Sequence, residues 1–128
     1  MAAEKKNFTV DFWADFWKDP FAAPSGDSVL SDDIVGYWPG DPEPVRGLPA
    51  YLARIARLLT EVPTLRLELL SHASTGDAIF LHYLARGTGV DGPFEFQGMD
   101  RVVVRDGLVV ENLVRYDETA LRRAAGLA

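Results

Sequence analysis

The 128-residue chain has no cysteine, only two histidines (His72 and His82), and fewer basic than acidic side chains, 13 against 19. Without cysteine the fold cannot rest on disulfides or thiolate zinc, and thiol redox chemistry and Cys nucleophiles are excluded. Two histidines far apart in sequence leave little from which to build a metal centre, so none is expected and no cofactor is implied. A net charge of -6 argues against a nucleic-acid partner, since phosphate contacts need a basic face. No apolar run approaches the roughly 20 residues that span a bilayer, and Lys5 and Lys6 are followed by no secretory apolar core. The expectation is a cytoplasmic protein without a membrane partner. Phosphate-cradling and nucleophile-elbow motifs are also missing.

What is present is an ordinary globular composition, 48% hydrophobic and 25% charged, which rules out a disordered chain. The length suits one domain over residues 1–128, with about two-thirds of the unfolded surface buried. Phe8, Phe12, Trp13, Phe16 and Trp17 recur at helical spacing and predict a helix over residues 8–17, ended by Asp19-Pro20. A loose stretch covers 18–27. A short helix is predicted for 27–30, entered through 25–27, and a strand for 34–38, stopped by Pro39-Gly40. Asp32-Asp33 reads as a turn and cap pair.

Residues 48–62 keep a helical apolar period, with Pro49 in the first turn and Arg54, Arg57 and Glu61 on the wet side. Beyond Pro63 the pattern alternates. Strands are predicted for 64–73, 78–88, 94–105 and 108–116, separated by turns at Gly76-Asp77, Asp91-Gly92-Pro93 and Asp106-Gly107, and a final helix for 118–125. This order defines an α+β fold: a curved antiparallel or mixed sheet wrapped as a cone around three helices, with a pocket or a packed core between them.

Strand 94–105 has an apolar even face, Phe94, Phe96, Gly98, Val102 and Val104, on which Asp100 is the one charge. A carboxylate there costs several kcal/mol unless it is paired, hydrogen-bonded or protonated. It is either a satisfied structural Asp or an acid or base of raised pKa. Centring the preceding turn on Asp91 puts His82 opposite Asp100, with Phe80 and Leu84 on the same face. A one-residue slip would turn Ile79, Leu81, Tyr83 and Ala85 inward instead, and both faces are apolar. The face left outside then needs cover, which suggests a homodimer through the outer sheet face.

At the last hairpin a three-residue loop, 105–107, brings Asn112, Val114 and Tyr116 inside, with Asn112 beside Asp100. A two-residue Asp106-Gly107 turn is the alternative and would bury Glu111. Candidate catalytic residues are thus Asp100 and His82, with Asn112 completing a polar row. Trp38 shares a face with Ile34 and Gly36 and either stacks on a ligand or fills the core. Phe12, Phe16, Leu84, Phe96, Asn112, Val114 and Tyr116 complete the candidate ligand-binding wall, and His72 is solvated.

The segments SDDIVGYWPG (31–40), VRGLPAYLARI (45–55) and GMDRVVVRDGLVVENLVRYD (98–117) resemble the nuclear-transport-factor-2-like superfamily, particularly its SnoaL-like and ketosteroid-isomerase-like members. The resemblance covers nearly the whole chain. It implies a cone-shaped barrel, frequent dimers, and a small apolar, aromatic or polycyclic ligand. Asp100 matches the pocket Asp that the isomerases keep protonated. Their catalytic base falls here on Trp38 and their Tyr donor on Ala14, a departure from steroid-isomerase machinery. The Arg/Asp clusters of limonene-epoxide-type hydrolases are absent. The implied activity is a cofactor-free lyase, isomerase or cyclase using Asp100 and His82 for proton transfer. The alternative is a non-catalytic ligand-binding or dimerisation module of the same fold.

Overall fold

A computed structural model describes residues 5–21 and 26–127. The loose stretch 18–27 and the helix entry at 25–27 therefore lie partly outside the described residues. Helix α1 spans Val10–Lys18; the Thr9 hydroxyl caps it by accepting from the Phe12 amide at 3.0 Å. A 3₁₀ turn, Gly26–Val29, leads into β1, Leu30–Tyr37, and the two-residue β2, Val45–Arg46, pairs with it. Helix α2 spans Leu48–Glu61 with proline in its first turn. Strands β3 (Arg66–Thr75), β4 (Ala78–Gly89), β5 (Gly92–Arg105) and β6 (Leu108–Tyr116) follow, then α3, Glu118–Ala125, capped by Asp117 and ended by Gly126 in the left-handed region.

The strands order as β2-β1-β6-β5-β4-β3 in one mixed, curved and unclosed sheet; among the described residues only β1 and β6 run parallel. This is the expected α+β cone. Its concave face packs on α1 and α2, with Ile34, Leu81 and Val109 among the most deeply buried side chains. Strand β1 begins earlier than expected, so Asp32 and Asp33 stand exposed on a strand and not in a turn.

Register differs from expectation at both central hairpins. Between β4 and β5 only Val90 and Asp91 form the turn, Gly89 pairs with Gly92, and Gly92 takes the positive φ of 106°. The Val90 amide is held by the Ala124 carbonyl at 2.9 Å, so α3 clamps this turn. Leu81 therefore stands opposite Asp100, and the slipped alternative is realised. Leu81, Tyr83 and Ala85 point inward, whereas His82 and Leu84 point outward.

The last hairpin also uses the two-residue turn, with Asp106 and Gly107 at φ 52° and 81°, the primed geometry that suits twisted strands. Glu111 is not buried by it, because a β-bulge at Val110 adds one residue to β6. Beyond the bulge, even pairs with even: Val102 with Asn112, Asp100 with Val114, and Gly98 with Tyr116. The inward set Asn112, Val114 and Tyr116 thus arises by a different route from the expected loop.

Candidate functional site

Between the sheet and the helices lies a cavity of about 290 Å³. Trp38, Phe12, Phe16, Phe96, Asn112, Val114 and Tyr116 line it, and so does Asp100. His82 and Leu84 do not, which corrects their expected place. The cause is the odd β4–β5 register, and on the outer face the His82 Nε2 contacts Gln97 Oε1 at 2.7 Å.

Asp100 is 7% exposed. Asn112, one strand away and also buried, donates from Nδ2 to Asp100 Oδ2 at 3.3 Å. The Tyr51 hydroxyl on α2 donates in turn to Asn112 Oδ1 at 2.6 Å. A three-residue relay thus ends on the carboxyl, with every donor directed toward it. Tyr83 approaches Asp100 from β4 and lowers its pKa along with Asn112, while Oδ1 has no partner of regular hydrogen-bond geometry. Burial outweighs both, and the Asp100 carboxyl is pushed up to about 7. The Tyr51, Tyr83 and Tyr116 hydroxyls are all driven upward by burial, so they stay protonated; Asp100 adds to the rise at Tyr51 and Tyr83.

Two glycines open the space for these hydroxyls. A Cβ at Gly98 would sit 2.5 Å from the Tyr83 hydroxyl oxygen, and one at Gly36 would sit 3.0 Å from the Tyr51 ring. Gly98 faces Tyr83 and Gly36 faces Asn112 in the strand registers, so each ring crosses a bare backbone to reach the polar relay. The cost of glycine inside a strand is accepted where a ring must approach this closely.

Arg54, expected on the wet side of α2, is only 8% exposed. Its Nε donates to Asp41 Oδ2 at 2.9 Å, and its guanidinium lies 4.7 Å from the centroid of the Trp38 ring. Trp38 also packs obliquely on Tyr51, with ring centroids 6.1 Å apart. Arg54 thereby backs the aromatic wall without lining the cavity. Tyr51, Tyr83 and the Arg54–Asp41 pair are site features that sequence reasoning missed. The available signal was that Tyr51 and Tyr83 are the apolar-face residues carrying a hydroxyl.

The fold and site define a class: α+β cone proteins with, among the described residues, one buried carboxyl in a largely aromatic pocket. The sequence matches the SnoaL-like domain family over residues 11–112, and the chain belongs to that family. No curated protein sequence matches it. Among solved structures, a protein from Jannaschia sp. named as a SnoaL-like polyketide cyclase superposes with a TM-score of 0.77 at 16% identity, covering 93% of this chain and 92% of the other. A protein of ketosteroid-isomerase-like fold from Catenulispora acidiphila, solved with trimethylamine, gives 0.76 at 16% identity and the same coverages. TerC, co-crystallised with polyporic acid, gives 0.69 at 17% identity over 78% of this chain and 82% of its own. At these identities the likeness establishes the shared fold.

Proposed function

We propose that the cavity binds a small, largely apolar organic molecule and that Asp100 transfers a proton to or from it, in a lyase, isomerase or cyclase reaction. The observation that carries this reading is the position of Asp100: among the described residues it is the one buried carboxyl, it lines the cavity, and burial pushes it up to about 7. A group with that pKa has both protonation states populated near neutrality, so it can remove a proton from one atom of a ligand and return it to another. Asn112, held by Tyr51, orients the carboxyl. Acid–base catalysis of this kind contributes roughly 10²- to 10⁴-fold. The solved neighbours that contain polyporic acid and trimethylamine support a small-molecule pocket. Half-buried Phe80 and Leu84 beside exposed Met99 on the outer sheet face support a homodimer through that face.

A second reading, ligand binding without catalysis, is favoured by the Tyr51–Asn112–Asp100 relay, which on its own satisfies Asp100 Oδ2. Deuterium exchange at the α-carbon of an enolisable bicyclic ketone, 2-tetralone, separates the two when followed by NMR in heavy water. Catalysis requires faster exchange with the native protein and a fall of about 10²-fold or more in Asp100→Asn. Equal rates remove Asp100 from the chemistry and leave binding alone.

A further inference from the structure

The charge pattern of the cavity is incomplete. Among the described residues ten aromatic side chains line it, Asp100 is the one acidic residue, and no lysine, arginine or histidine is among the lining residues. The Arg54 guanidinium stands behind the wall, where it acts on Tyr116 and is paired with Asp41. Yet the relay is built for an anion: Tyr51 donates to Asn112, and Asn112 donates to Asp100. The Tyr83 hydroxyl is the group that approaches the carboxyl from the other side, where it acts on the ionised form as a donor and lowers the pKa, and Oδ1 has no partner of regular hydrogen-bond geometry. A buried carboxylate supplied with donors and lacking a cation is unfavourable until a positive charge arrives.

We infer that the cavity takes a cationic ligand, an N-alkylated ammonium carried on an apolar body, whose charge pairs with Asp100 and whose N-alkyl groups lie against the aromatic wall. Ring faces attract such cations, most strongly where water is excluded. Tertiary and quaternary ammonium groups suit this wall better than a primary one. Three N–H donors would each need an acceptor, and the Asn112 carbonyl oxygen is already occupied by Tyr51. The inference rests on Asp100 as the working group of the pocket and adds to its proposed role, because a bound cation favours the ionised carboxyl and so the base form. Among the described residues the other titratable groups facing the cavity are Tyr51 from α2, Tyr83 from β4 and Tyr116 from β6, all shifted upward by burial, and Arg54, Glu118 and Asp41 act on Tyr116 from behind the wall. Asp100 is therefore the cavity group that titrates around neutrality.

The test compares phenyltrimethylammonium with its neutral isostere tert-butylbenzene, measured by NMR titration and calorimetry on the full chain. The expected result is cation binding that strengthens at least about tenfold from pH 5 to pH 8, against a pH-independent neutral probe. Asp100→Asn should weaken the cation at least about tenfold and leave tert-butylbenzene unchanged. A readout that needs no variant is proton release: at pH 7, calorimetry in buffers of different ionisation enthalpy should show release with the cation and none with tert-butylbenzene. Failure of the cation to bind, equal affinity for both probes at pH 8, or binding without proton release would overturn the inference. Cation binding without ketone exchange would uphold it while removing the catalytic reading; Asp100-dependent exchange without cation preference would do the reverse.

Discussion

Strands β4, β5 and β6 present two faces built from alternate residues of the same chain, and those faces treat polar groups in opposite ways. Outside, His82 meets Gln97, and Arg101 pairs with Glu111 with both side chains about one-third exposed. Inside, one residue along, Asp100 and Asn112 are buried along the cavity wall and depend on Tyr51 and Tyr83. These outer groups keep part of their surface in water, although the Arg101 Nε is itself buried, so their pairing contributes less than that of fully buried groups. The inner groups have only each other, so every missing partner costs a desolvation penalty. What makes a residue functional here is thus its face of the sheet more than its chemical type: the His and the Asp that look like partners in sequence lie on opposite sides of it.

The largest test of this contrast is the pH dependence of stability. The Asp100 carboxyl has its folded pKa raised to about 7, above the value near 3.9 of an unfolded Asp. The folded state thus binds more protons between those values, and stability falls as pH rises through that window. The span amounts to up to about 4 kcal/mol at pH 8 relative to pH 4. In Asp100→Asn this component should vanish. Denaturant unfolding of both proteins from pH 4 to pH 8 should show the variant gaining on the native protein as pH rises. A constant difference would mean that Asp100 is not the strained group.

Next in size are the supports of the relay. Tyr51→Phe keeps the ring and deletes the hydroxyl, leaving Asn112 Oδ1 buried without its donor, at a cost of about 1–3 kcal/mol. Gly98→Ala drives a methyl group into Tyr83 and should cost a similar amount, about 1–3 kcal/mol, through overpacking. The two variants act differently on the carboxyl. Displacing Tyr83 removes a group that lowers the Asp100 pKa, so a carboxyl titration followed by carbon NMR should move upward in Gly98→Ala. If it does not move, Tyr83 packs beside Asp100 without acting on it.

The same contrast explains what could be read from the chain alone. Helix α2 and the four-strand succession were legible because apolar period and turn residues agree there, and Asp100 stood out as a charge on the even face of β5. Asn112 lies on the inner face although the turn before it is the two-residue one, since the bulge at Val110 restores the parity that this turn removes. The β4 face was not legible: Phe80 and Leu84 are as apolar as Leu81 and Ala85, so a single residue in the turn decided whether His82 or Tyr83 entered the pocket. Arg54 was hidden for a related reason. Helical spacing assigns it to the wet side, and only the loop carrying Asp41 and the face of Trp38 make its burial tolerable.

The smallest effect is the sharpest check on the two-face picture. His82→Ala removes a half-buried outer side chain whose partner, exposed Gln97, turns back to water, so the loss should be within about 0.5 kcal/mol. Asp100→Asn, one pairing step away across the sheet, moves stability several-fold more at high pH. An His82→Ala loss above about 1 kcal/mol would place that imidazole in a desolvated setting and break the comparison for an isolated chain. Unfolding measured at low and high protein concentration then locates the cause. If the loss appears only at high concentration, the outer face is covered by a second copy, because association stabilises in proportion to occupancy. If it is the same at both, the outer face is not free water-facing surface within one chain, and the division of labour between the faces fails.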